Sequence, residues 1–493
     1  MIGINIGGVN IVCAMLGEEI RIIKKPSEVG FETFAKEIPE LGKDKTVVST
    51  SLPLNHILMK YEKLKTLVLL IPGPGLNYSN YGHILKGYVN HRGDVVEKID
   101  EEEIRRILEN PGYSNVAIAS KFSVRNPILE EEVKKIVLEK FDEKKIALSH
   151  HVGGLNYPAR INTTVINAKL KEMIWNLTDE LKKYIPNFYY LIGDGSISTP
   201  DMVVENPSLL YNSSPAASAF GAIFLTGIKD AVVIDIGGYS TNLIPIENGK
   251  PRFVNYLDIM GKRTLLRSVE TVTIPFGGNS VICEGRITEE LCKPIAFGGE
   301  KFTLTDAMNC MGQEIGDFRA SRNFKEKVDY DIAFQQFISL IAANLIDLNA
   351  EKIIGTGYLS PYIIPEIARK AKASYVIPKF YDGVRAIGSA VSRISLTLHA
   401  RFDTEKGIAI YNGVFEKVPF RVGSIPKDEE IIEAARSKMI EIAKKMGAEE
   451  EIEDIKILDF YSFTIVKGGM KRGLIADVTM QIEPGIKPWK KKY

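Results

Sequence analysis

The sequence predicts an α/β fold of two related halves facing each other across a cleft, followed by a small C-terminal α+β domain. Two observations support this prediction. A strand, a Gly-Gly corner and a second strand occur at residues 2–12 and again at 231–246, which indicates a duplication. Strand-like and helical stretches also alternate between the two copies, which is typical of sheets covered by helices on both faces. At 493 residues the chain is also too long for one ordinary domain.

The stretch 231–246 is the clearest part of this pattern. Its first four residues are an apolar run rich in β-branched side chains, which predicts a buried strand, and a second strand begins at Leu243. The residues of interest between the strands are Asp235, Gly237, Gly238, Ser240 and Thr241. Because glycine has no Cβ atom, a phosphate can approach bare backbone amides there. The stretch predicts a hairpin tip for a metal-bound polyphosphate, although an ordinary glycine turn capped by Asp235 has the same pattern.

The start of the chain repeats this arrangement. The positions that match Asp235, Gly237 and Gly238 are Asn5, Gly7 and Gly8, again between two apolar runs. Such internal similarity indicates two related halves. Two hairpins of this kind, facing each other across a cleft, would hold one nucleotide from both sides.

In chain order, the elements divide into three segments: 1–160, 161–393 and 394–493. In the first segment we expect strands at 47–50, 66–71, 116–119 and 146–148 and helices at 101–109 and 130–141. In the second segment we expect helices at 162–185, 216–225, 332–348 and 362–370 and a strand at 352–357. In the third we expect strands at 414–422, 455–464 and 474–482 and a charged helix at 428–446.

Composition indicates a water-soluble cytoplasmic protein. The net charge of +1 gives no general attraction to nucleic acid or to an anionic membrane. A basic tail at 487–492 is predicted to be solvated rather than bound to an acidic surface. The four cysteines are too few and too irregularly spaced for a disulfide framework or zinc knuckle. The longest apolar run, 67–71, is far shorter than the roughly 20 residues of a membrane-spanning helix, and no signal peptide is evident.

With its two glycine hairpins, the sequence resembles the actin-like ATPase superfamily and, more closely, the hydantoinase A / 5-oxoprolinase family. The stretches that carry the closer resemblance, in the family's order, are TSLPLN (50–55), GYVNHRGD (87–94), SHH (149–151), RINTTVINA (160–168), SPAA (214–217), GGNS (277–280), FGG (297–299) and TDAMN (305–309). The resemblance reaches from the first residue to about residue 390. Beyond this point it weakens, and family members are usually longer.

The resemblance implies an actin-like, ribonuclease H-like ATPase fold and an ATP-driven activity. Members of the family open stable cyclic amides such as hydantoins or 5-oxoproline, and related members carboxylate ketones. The implied cofactors are ATP and Mg²⁺, and the implied partners are a small-molecule substrate and a separate β subunit of hydantoinase B type. Phosphorylation would activate an amide or enolate oxygen that is otherwise unreactive.

The resemblance also implies site residues. Those expected at the phosphates are Asn5, Gly7, Gly8, Asn10, Gly237, Gly238, Ser240, Thr241 and Asn242. A strand ending in Gly-x-Gly, formed by Gly355, Thr356 and Gly357, resembles the adenosine motif. Asp235 would act in catalysis and hold the metal through water. Asp306 would face the substrate, although a helix N-terminal or turn carboxylate is an equal interpretation.

Several positions depart from the family's pattern. The first loop normally starts with aspartate but has Asn5 here, and the threonine and aspartate expected further along it are Val9 and Asn10. The second loop normally closes with aspartate, which is Asn242 here. An amide in place of a carboxylate keeps the shape but removes negative charge near a divalent cation. Nucleotide binding would therefore survive more readily than hydrolysis.

Two further motifs have open interpretations. His150 and His151 replace a histidine–acid pair of the family, so either a metal role or a packed, hydrogen-bonded pair is expected. Arg160 occupies the family's basic position, where it would bind a substrate carboxylate or form a surface ion pair.

Three functions follow from these observations. The first is an ATP-dependent cyclic-amide hydrolase or carboxylase α subunit. The second is a non-catalytic, nucleotide-binding regulatory or assembly protein, such as an archaeal offshoot of the methanogenesis marker 14 type. The third, a sugar- or acid-kinase relative, ranks last because no aspartate stands in a kinase-like context.

Overall fold

A computed structural model describes residues 1–43, 45–110, 112–324, 328–393, 395–446 and 452–487. The basic tail predicted at 487–492 therefore lies outside the described residues, except for Lys487.

The N-terminal sheet contains the first glycine hairpin. Its six strands, in spatial order, are Ile197–Ser198, Phe188–Leu191, Thr46–Thr50, Ile2–Ile6, Asn10–Leu16 and Ile20–Pro26. Strand Ile2–Ile6 is fully buried, as its apolar sequence predicts, and it pairs antiparallel with Asn10–Leu16 and parallel with Thr46–Thr50.

The central sheet contains the second glycine hairpin. Its strands, in spatial order, are Lys250–Pro251, Thr241–Glu247, Ala231–Ile236, Lys352–Thr356 and Ser374–Val376, with Val272–Ile274 paired to Thr241–Glu247 beside this path. In both sheets the first strand of the hairpin has an antiparallel partner on one side and two successive parallel strands on the other. The duplication seen in the sequence is therefore a duplication of strand order and direction.

Two helices with small side chains, Ser213–Thr226 and Val384–Val391, pack on each other and on the N-terminal sheet. The helices approach closely because glycines lie at the crossing. A Cβ atom at Gly388 would lie 1.9 Å from the carbonyl oxygen of Ala217, and one at Gly221 would lie 2.1 Å from that of Val384. The cleft end of this helix pair carries side chains from both helices to the two hairpins.

A separate four-stranded parallel sheet follows the N-terminal hairpin in the chain. Its strands, in spatial order, are Ile146–Leu148, Asn115–Ser120, Thr66–Ile71 and His83–Ile84. The helices of this part of the chain and its surroundings are Gly30–Lys36, Leu52–Lys60, Glu101–Leu108, Ile128–Val137, Tyr157–Tyr184 and Pro200–Glu205.

The remaining helices of the central part are Leu304–Cys310, Phe318–Arg322, Tyr330–Asp347 and Ser360–Ala371. Four short strand pairs complete the description: Tyr88–Val89 with Val95–Glu97, Phe253–Val254 with Ser268–Val269, Asp258–Ile259 with Lys262–Arg263, and Ser280–Cys283 with Arg286–Leu291.

The C-terminal part is an antiparallel sheet covered by the helix Asp428–Lys445. Its strands, in spatial order, are Val414–Lys417, Ile408–Tyr411, Leu396–Asp403, Met470–Ile482 and Ile455–Lys467. The strand Leu396–Asp403 is one that we did not predict, although its alternating burial is what an amphipathic strand shows.

The helix predicted at 162–185 is longer than expected. It spans Tyr157–Tyr184 and begins earlier because the Asn156 side chain accepts a hydrogen bond of 3.1 Å from the Ala159 amide. The division at residues 160 and 393 stays a prediction. The N-terminal sheet itself takes strands from both of the first two predicted segments, since Phe188–Leu191 and Ile197–Ser198 belong to it.

Candidate functional site

The tips of the two glycine hairpins line one cavity of about 770 Å³. The predicted site residues that line this cavity are Asn5, Gly7, Gly8, Asn10, Asp235, Gly237, Gly238, Ser240, Asn242 and Gly357. Most of the predicted set therefore shares one space, although the two hairpins lie about half the chain apart in sequence.

The two tips have the same backbone geometry. Gly7 donates its amide to the carbonyl of Asn10, and Gly237 donates to that of Ser240, both at 2.9 Å. Within the described ranges, the amides of Gly8 and Gly238 donate to no protein acceptor. Two free amides on facing turns form an anion-binding arrangement.

The tips also contact each other directly. A Cβ atom at Gly8 would lie 2.6 Å from the Tyr239 ring, and one at Gly238 would lie 2.5 Å from Cγ2 of Val9. A larger residue at either position would force the neighbouring Tyr239 or Val9 side chain to move. The sequence pattern identified the glycines, but it did not identify Tyr239 as the side chain that covers Gly8.

Asp235 lies at the end of its strand and is 1% exposed. Nε of Arg385 donates to its Oδ2 at 2.7 Å, and the Ser218 hydroxyl donates to the same oxygen. Both partners come from the helix pair between the hairpins. No other described residue donates a hydrogen bond to this carboxylate. Its Oδ1 is therefore the oxygen left for a ligand in the cavity.

Asn5 occupies the equivalent position in the first hairpin. Its amide nitrogen donates to the hydroxyls of Ser49 at 2.9 Å and Ser214 at 2.8 Å. The Ser389 hydroxyl in turn donates to Ser49 at 2.8 Å. Asn5 therefore connects its strand to both helices of the pair. The amide nitrogen of an asparagine can donate these hydrogen bonds, whereas an ionised aspartate can only accept them.

The strand registers correct one part of the sequence comparison. Asn242 pairs with Asp235, and the residue that pairs with Asn5 in the first hairpin is Val12. Asn10 instead corresponds to Ser240, because each accepts the same turn hydrogen bond. The first-hairpin counterpart of Asn242 is therefore Val12, an apolar residue, and not Asn10. Asp235 is the one carboxylate among the residues of the two tips.

Three ion pairs neutralise the charged side chains around the cavity. Besides Arg385 with Asp235, they are Lys24 with Asp382 at 3.4 Å and Lys293 with Glu28 at 3.0 Å. The last two join the N-terminal hairpin region to residues of the central part, and they lie near solvent. Such exposed pairs span the cleft but add little stability.

The predicted adenosine motif contributes one of its three residues to the cavity wall. Gly357 lines the cavity, whereas Gly355 and Thr356 lie in the strand Lys352–Thr356. A Cβ atom at Gly355 would meet Ile364, and the Thr356 hydroxyl lies 3.4 Å from the carbonyl of Ile234. We therefore correct the roles of Gly355 and Thr356 from nucleotide contact to packing.

Two aromatic side chains lie beside Gly357. Tyr358 and Tyr381 line the cavity, and Nζ of Lys24 lies 4.7 Å from the centre of the Tyr358 ring. Burial, with Asp382 nearby, raises the pKa of Tyr381 above its ordinary value, so its phenol stays neutral. Neither tyrosine was predicted, because a single aromatic residue after a glycine carries little signal.

Thr241 and Asp306 do not line the cavity. The Thr241 hydroxyl donates to the carbonyl of Phe276 at 2.9 Å. Asp306 is fully buried and serves as the third residue of a capping box with Thr303. Its carboxylate accepts hydrogen bonds of 2.6–3.1 Å from the amides of Thr303, Ile295 and Ala296 and from the hydroxyls of Thr303 and Ser321. The prediction of a catalytic Asp306 is therefore corrected to a structural role.

Arg160 is also structural. It is fully buried, and its guanidinium donates to the hydroxyl of Ser149 at 3.2 Å and to the carbonyls of Ser120 at 2.7 Å and Lys121 at 2.6 Å. Arg160 therefore makes buried hydrogen bonds within the protein, and neither expected role, a substrate contact or a surface ion pair, describes it.

The cavity fits a nucleotide better than it fits a tightly held metal ion. The amides of Gly8 and Gly238, which lack protein acceptors among the described residues, belong to residues of the cavity wall, and two tyrosines lie beside Gly357. For Mg²⁺, which prefers several oxygen ligands, the tips offer Asp235 as their one carboxylate, and Arg385 already neutralises it. The donor set therefore permits a metal held by phosphates and, through water, by Asp235.

Comparison with known proteins agrees with this geometry. The sequence model described as Hydantoinase/oxoprolinase matches residues 160–360, and that described as Hydantoinase/oxoprolinase N-terminal region matches residues 55–141. The chain is 28% identical over 261 residues to the uncharacterized protein MJ0964 of Methanocaldococcus jannaschii. It is 24% identical over 253 residues to the acetophenone carboxylase gamma subunit of Aromatoleum aromaticum and 26% identical over 209 residues to the caprolactamase subunit alpha of Pseudomonas jessenii.

These alignments cover 46%, 45% and 40% of this chain and 38%, 35% and 30% of the respective relatives. The matched part thus spans well under half the length of the curated relatives.

Two solved structures share the fold. The nucleotide-free acetone carboxylase structure superimposes with a TM-score of 0.71 at 14% identity and covers 100% of this chain and 88% of that chain. The ATP-dependent caprolactamase from Pseudomonas jessenii superimposes with a TM-score of 0.60 at 17% identity, covering 97% and 87%. The predicted α/β actin-like ATPase fold is therefore confirmed. Since the two sequence models together span more than half of the chain, the chain belongs to the hydantoinase/oxoprolinase family.

Proposed function

We propose that this chain is the ATP-binding subunit of an enzyme that opens a cyclic amide or carboxylates a ketone. The observation that carries the proposal is that two hairpin tips of equal geometry line one cavity with free backbone amides. Relatives named as an acetophenone carboxylase subunit and a caprolactamase subunit support it. More specifically, we propose that the reaction is ring opening of the hydantoinase/oxoprolinase type.

The residues of the cavity would divide the work of binding. The amides of Gly8 and Gly238 would hold phosphate oxygens, and Ser240 would add a hydroxyl. Arg385 would share its charge between Asp235 and the phosphates. Bound ATP supplies the phosphoryl group that activates the substrate oxygen, and Mg²⁺, held through water by Asp235, would balance phosphate charge.

A second function is favoured by the missing carboxylates. Asn5, Val12 and Asn242 leave the hairpins with Asp235 alone, and that residue is paired with arginine. Such a site would bind a nucleotide but activate water poorly. A regulatory or assembly protein that retains nucleotide binding is therefore the alternative, and a methanogenesis marker 14-type role in an archaeal source stays a prediction within it.

The partner and compartment are also proposals. Two relatives are named as subunits, which supports a separate partner, and we propose one of hydantoinase B type. No helix in the described ranges is long and apolar enough to cross a lipid bilayer. We propose a cytoplasmic location.

The test is ATP turnover measured with and without a candidate hydantoinase B-type subunit, beside calorimetric titration with ATP and Mg²⁺. The enzyme proposal expects binding by the chain alone and turnover that rises when the partner and a cyclic amide or ketone are added. Binding without turnover under every condition would contradict it and favour the regulatory alternative. Absence of nucleotide binding would exclude both.

A further inference from the structure

A second cluster of ligand-type side chains lies outside the cavity. It consists of His150, His151 and Glu131, whose ligand atoms all lie within 4.8 Å of one another. Glu131 is on the helix Ile128–Val137, and the histidines form a single turn directly after the buried strand Ile146–Leu148. None of the three lines the hairpin cavity.

The first histidine is held in one orientation by a buried carboxylate. Nδ1 of His150 lies 2.8 Å from Oε2 of Glu130, which is fully buried. Glu130 is itself fixed, because it accepts hydrogen bonds of 2.6 Å from both the Ser120 amide and the Ser149 hydroxyl. An acceptor of this kind makes Nδ1 the protonated nitrogen and leaves a lone pair on Nε2. That Nε2 lies 3.5 Å from Oε1 of Glu131.

The second histidine has a ring nitrogen that faces a carboxylate. Nδ1 of His151 is buried and lies 3.1 Å from Oε2 of Glu205, which is an ion-pair distance, but the contact falls short of hydrogen-bond geometry. Glu205 is also bound by Nζ of Lys171 at 2.7 Å. The His151 ring is therefore held less tightly than that of His150, and a metal ion could compete with Glu205 for it.

The ligand set has the chemistry of a zinc-type ion. Two imidazoles, which are borderline ligands, and one carboxylate form a set that suits Zn²⁺ or Co²⁺, and three protein ligands leave one of four tetrahedral positions open. A carboxylate hydrogen-bonded to the far nitrogen of a ligating histidine is the usual supporting arrangement, and Glu130 supplies it here. The side chain of Glu131 is 40% exposed, so the open position can be reached from solvent.

We propose that His150, His151 and Glu131 form a binding site for a divalent transition metal of the zinc class, with Glu130 as the positioning residue for His150. The site is independent of the nucleotide cavity. The competing explanation is a network of ion pairs in which His150 bridges Glu130 and Glu131 without any metal.

The experiment uses the full chain, stripped with a chelator and titrated with Zn²⁺ alone, with Co²⁺ as the spectroscopic probe. The proposal expects one Zn²⁺ per chain and a visible cobalt spectrum without the near-ultraviolet band that a thiolate ligand would add. Glu131→Gln should weaken binding about tenfold or more, and Glu130→Gln should weaken it by about 10–100-fold. Zn²⁺ should also raise the melting temperature of the wild-type chain and not that of Glu131→Gln.

Matched controls are Glu132→Gln, the next residue on the same helix, and His83→Asn, a histidine exposed elsewhere on the surface. Both should bind Zn²⁺ as the wild type does. Because Glu131 is partly exposed, its variant is expected to fold, and circular dichroism verifies this. The proposal is overturned if the wild type takes up no Zn²⁺, if a thiolate band appears, or if Glu131→Gln binds as tightly as Glu132→Gln.

Discussion

At the scale of single residues, the pair formed by Asp235 and Arg385 defines the electrostatics of the cavity. The carboxylate is 1% exposed, whereas the arginine side chain is 22% exposed. A buried carboxylate is tolerated when it is paired and hydrogen-bonded, and the cost appears when one partner is removed.

Arg385→Ala should therefore destabilise the chain by about 3 kcal/mol, because it leaves Asp235 buried without its cation. Urea unfolding measures the change. The double variant Asp235→Asn, Arg385→Gln should recover most of it, since no unpaired charge remains. The surface control Arg369→Ala, whose partner Glu366 is exposed, should cost less than about 1 kcal/mol. An Arg385→Ala loss no larger than that of the control would show that the pair is not important for stability.

The revised role of Asp306 gives a second prediction. Asp306→Asn replaces one carboxylate oxygen by a donor that faces the donors around Thr303 and Ile295. We expect a loss of about 2–4 kcal/mol in the free energy of unfolding, with ATP affinity unchanged in the folded fraction. Calorimetry at low temperature, beside urea unfolding, separates the two effects. A tenfold loss of ATP affinity without loss of stability would restore the catalytic interpretation.

The cysteines provide a third prediction at this scale. Burial raises the pKa of the Cys13 thiol to about 12, so it stays protonated and unreactive at neutral pH. Cys283 is exposed, and Cys292 lines the cavity. Iodoacetamide should label Cys283 rapidly and Cys13 only after unfolding, and ATP should slow labelling of Cys292 several-fold without affecting Cys283. Mass spectrometry of the peptides measures this, and equal protection of Cys283 and Cys292 would contradict a nucleotide in the cavity.

At the scale of elements, the two small-residue helices determine how closely the halves approach. Ser218 and Arg385, one from each helix, both reach Asp235, and Ser214 and Ser389 join the network of Asn5. The helix crossing at Gly388 and Gly221 therefore positions polar groups of both hairpins at once.

Gly388→Ala should be strongly destabilising, because its Cβ atom would lie 1.9 Å from a backbone oxygen that cannot move without shifting the other helix. We expect a loss of more than about 2 kcal/mol in thermal or urea unfolding. Gly17→Ala is the matched control, since a Cβ atom there meets nothing within 4 Å, and it should change stability by no more than about 0.5 kcal/mol. Equal effects of the two substitutions would show that the crossing is loosely packed.

At the scale of the whole molecule, the repeated hairpin was predictable because each copy is a local motif. Strands, glycines and the polar residues between them lie within about a dozen residues, so the sequence shows them together. Arg385 was not predictable, because it lies 150 positions after Asp235 in the chain and has no motif of its own.

For Asp306, the sequence identified the residue but not its role. Its motif was recognised, but its role depends on amides of Ile295 and Ala296 and on the Ser321 hydroxyl, which the fold brings to it. The placement of Val12 opposite Asn5 likewise needed the strand register, which a short motif does not determine.

The central claim is that both hairpins bind one nucleotide, and hydrogen exchange followed by mass spectrometry tests it most directly. Saturating ATP should slow exchange of the amides in both tips, residues 6–10 and 236–240, by at least about tenfold, while the C-terminal strands at 455–467 and 470–482 stay unchanged. Protection of one tip alone, or of neither, at ATP concentrations up to the millimolar range would contradict the account.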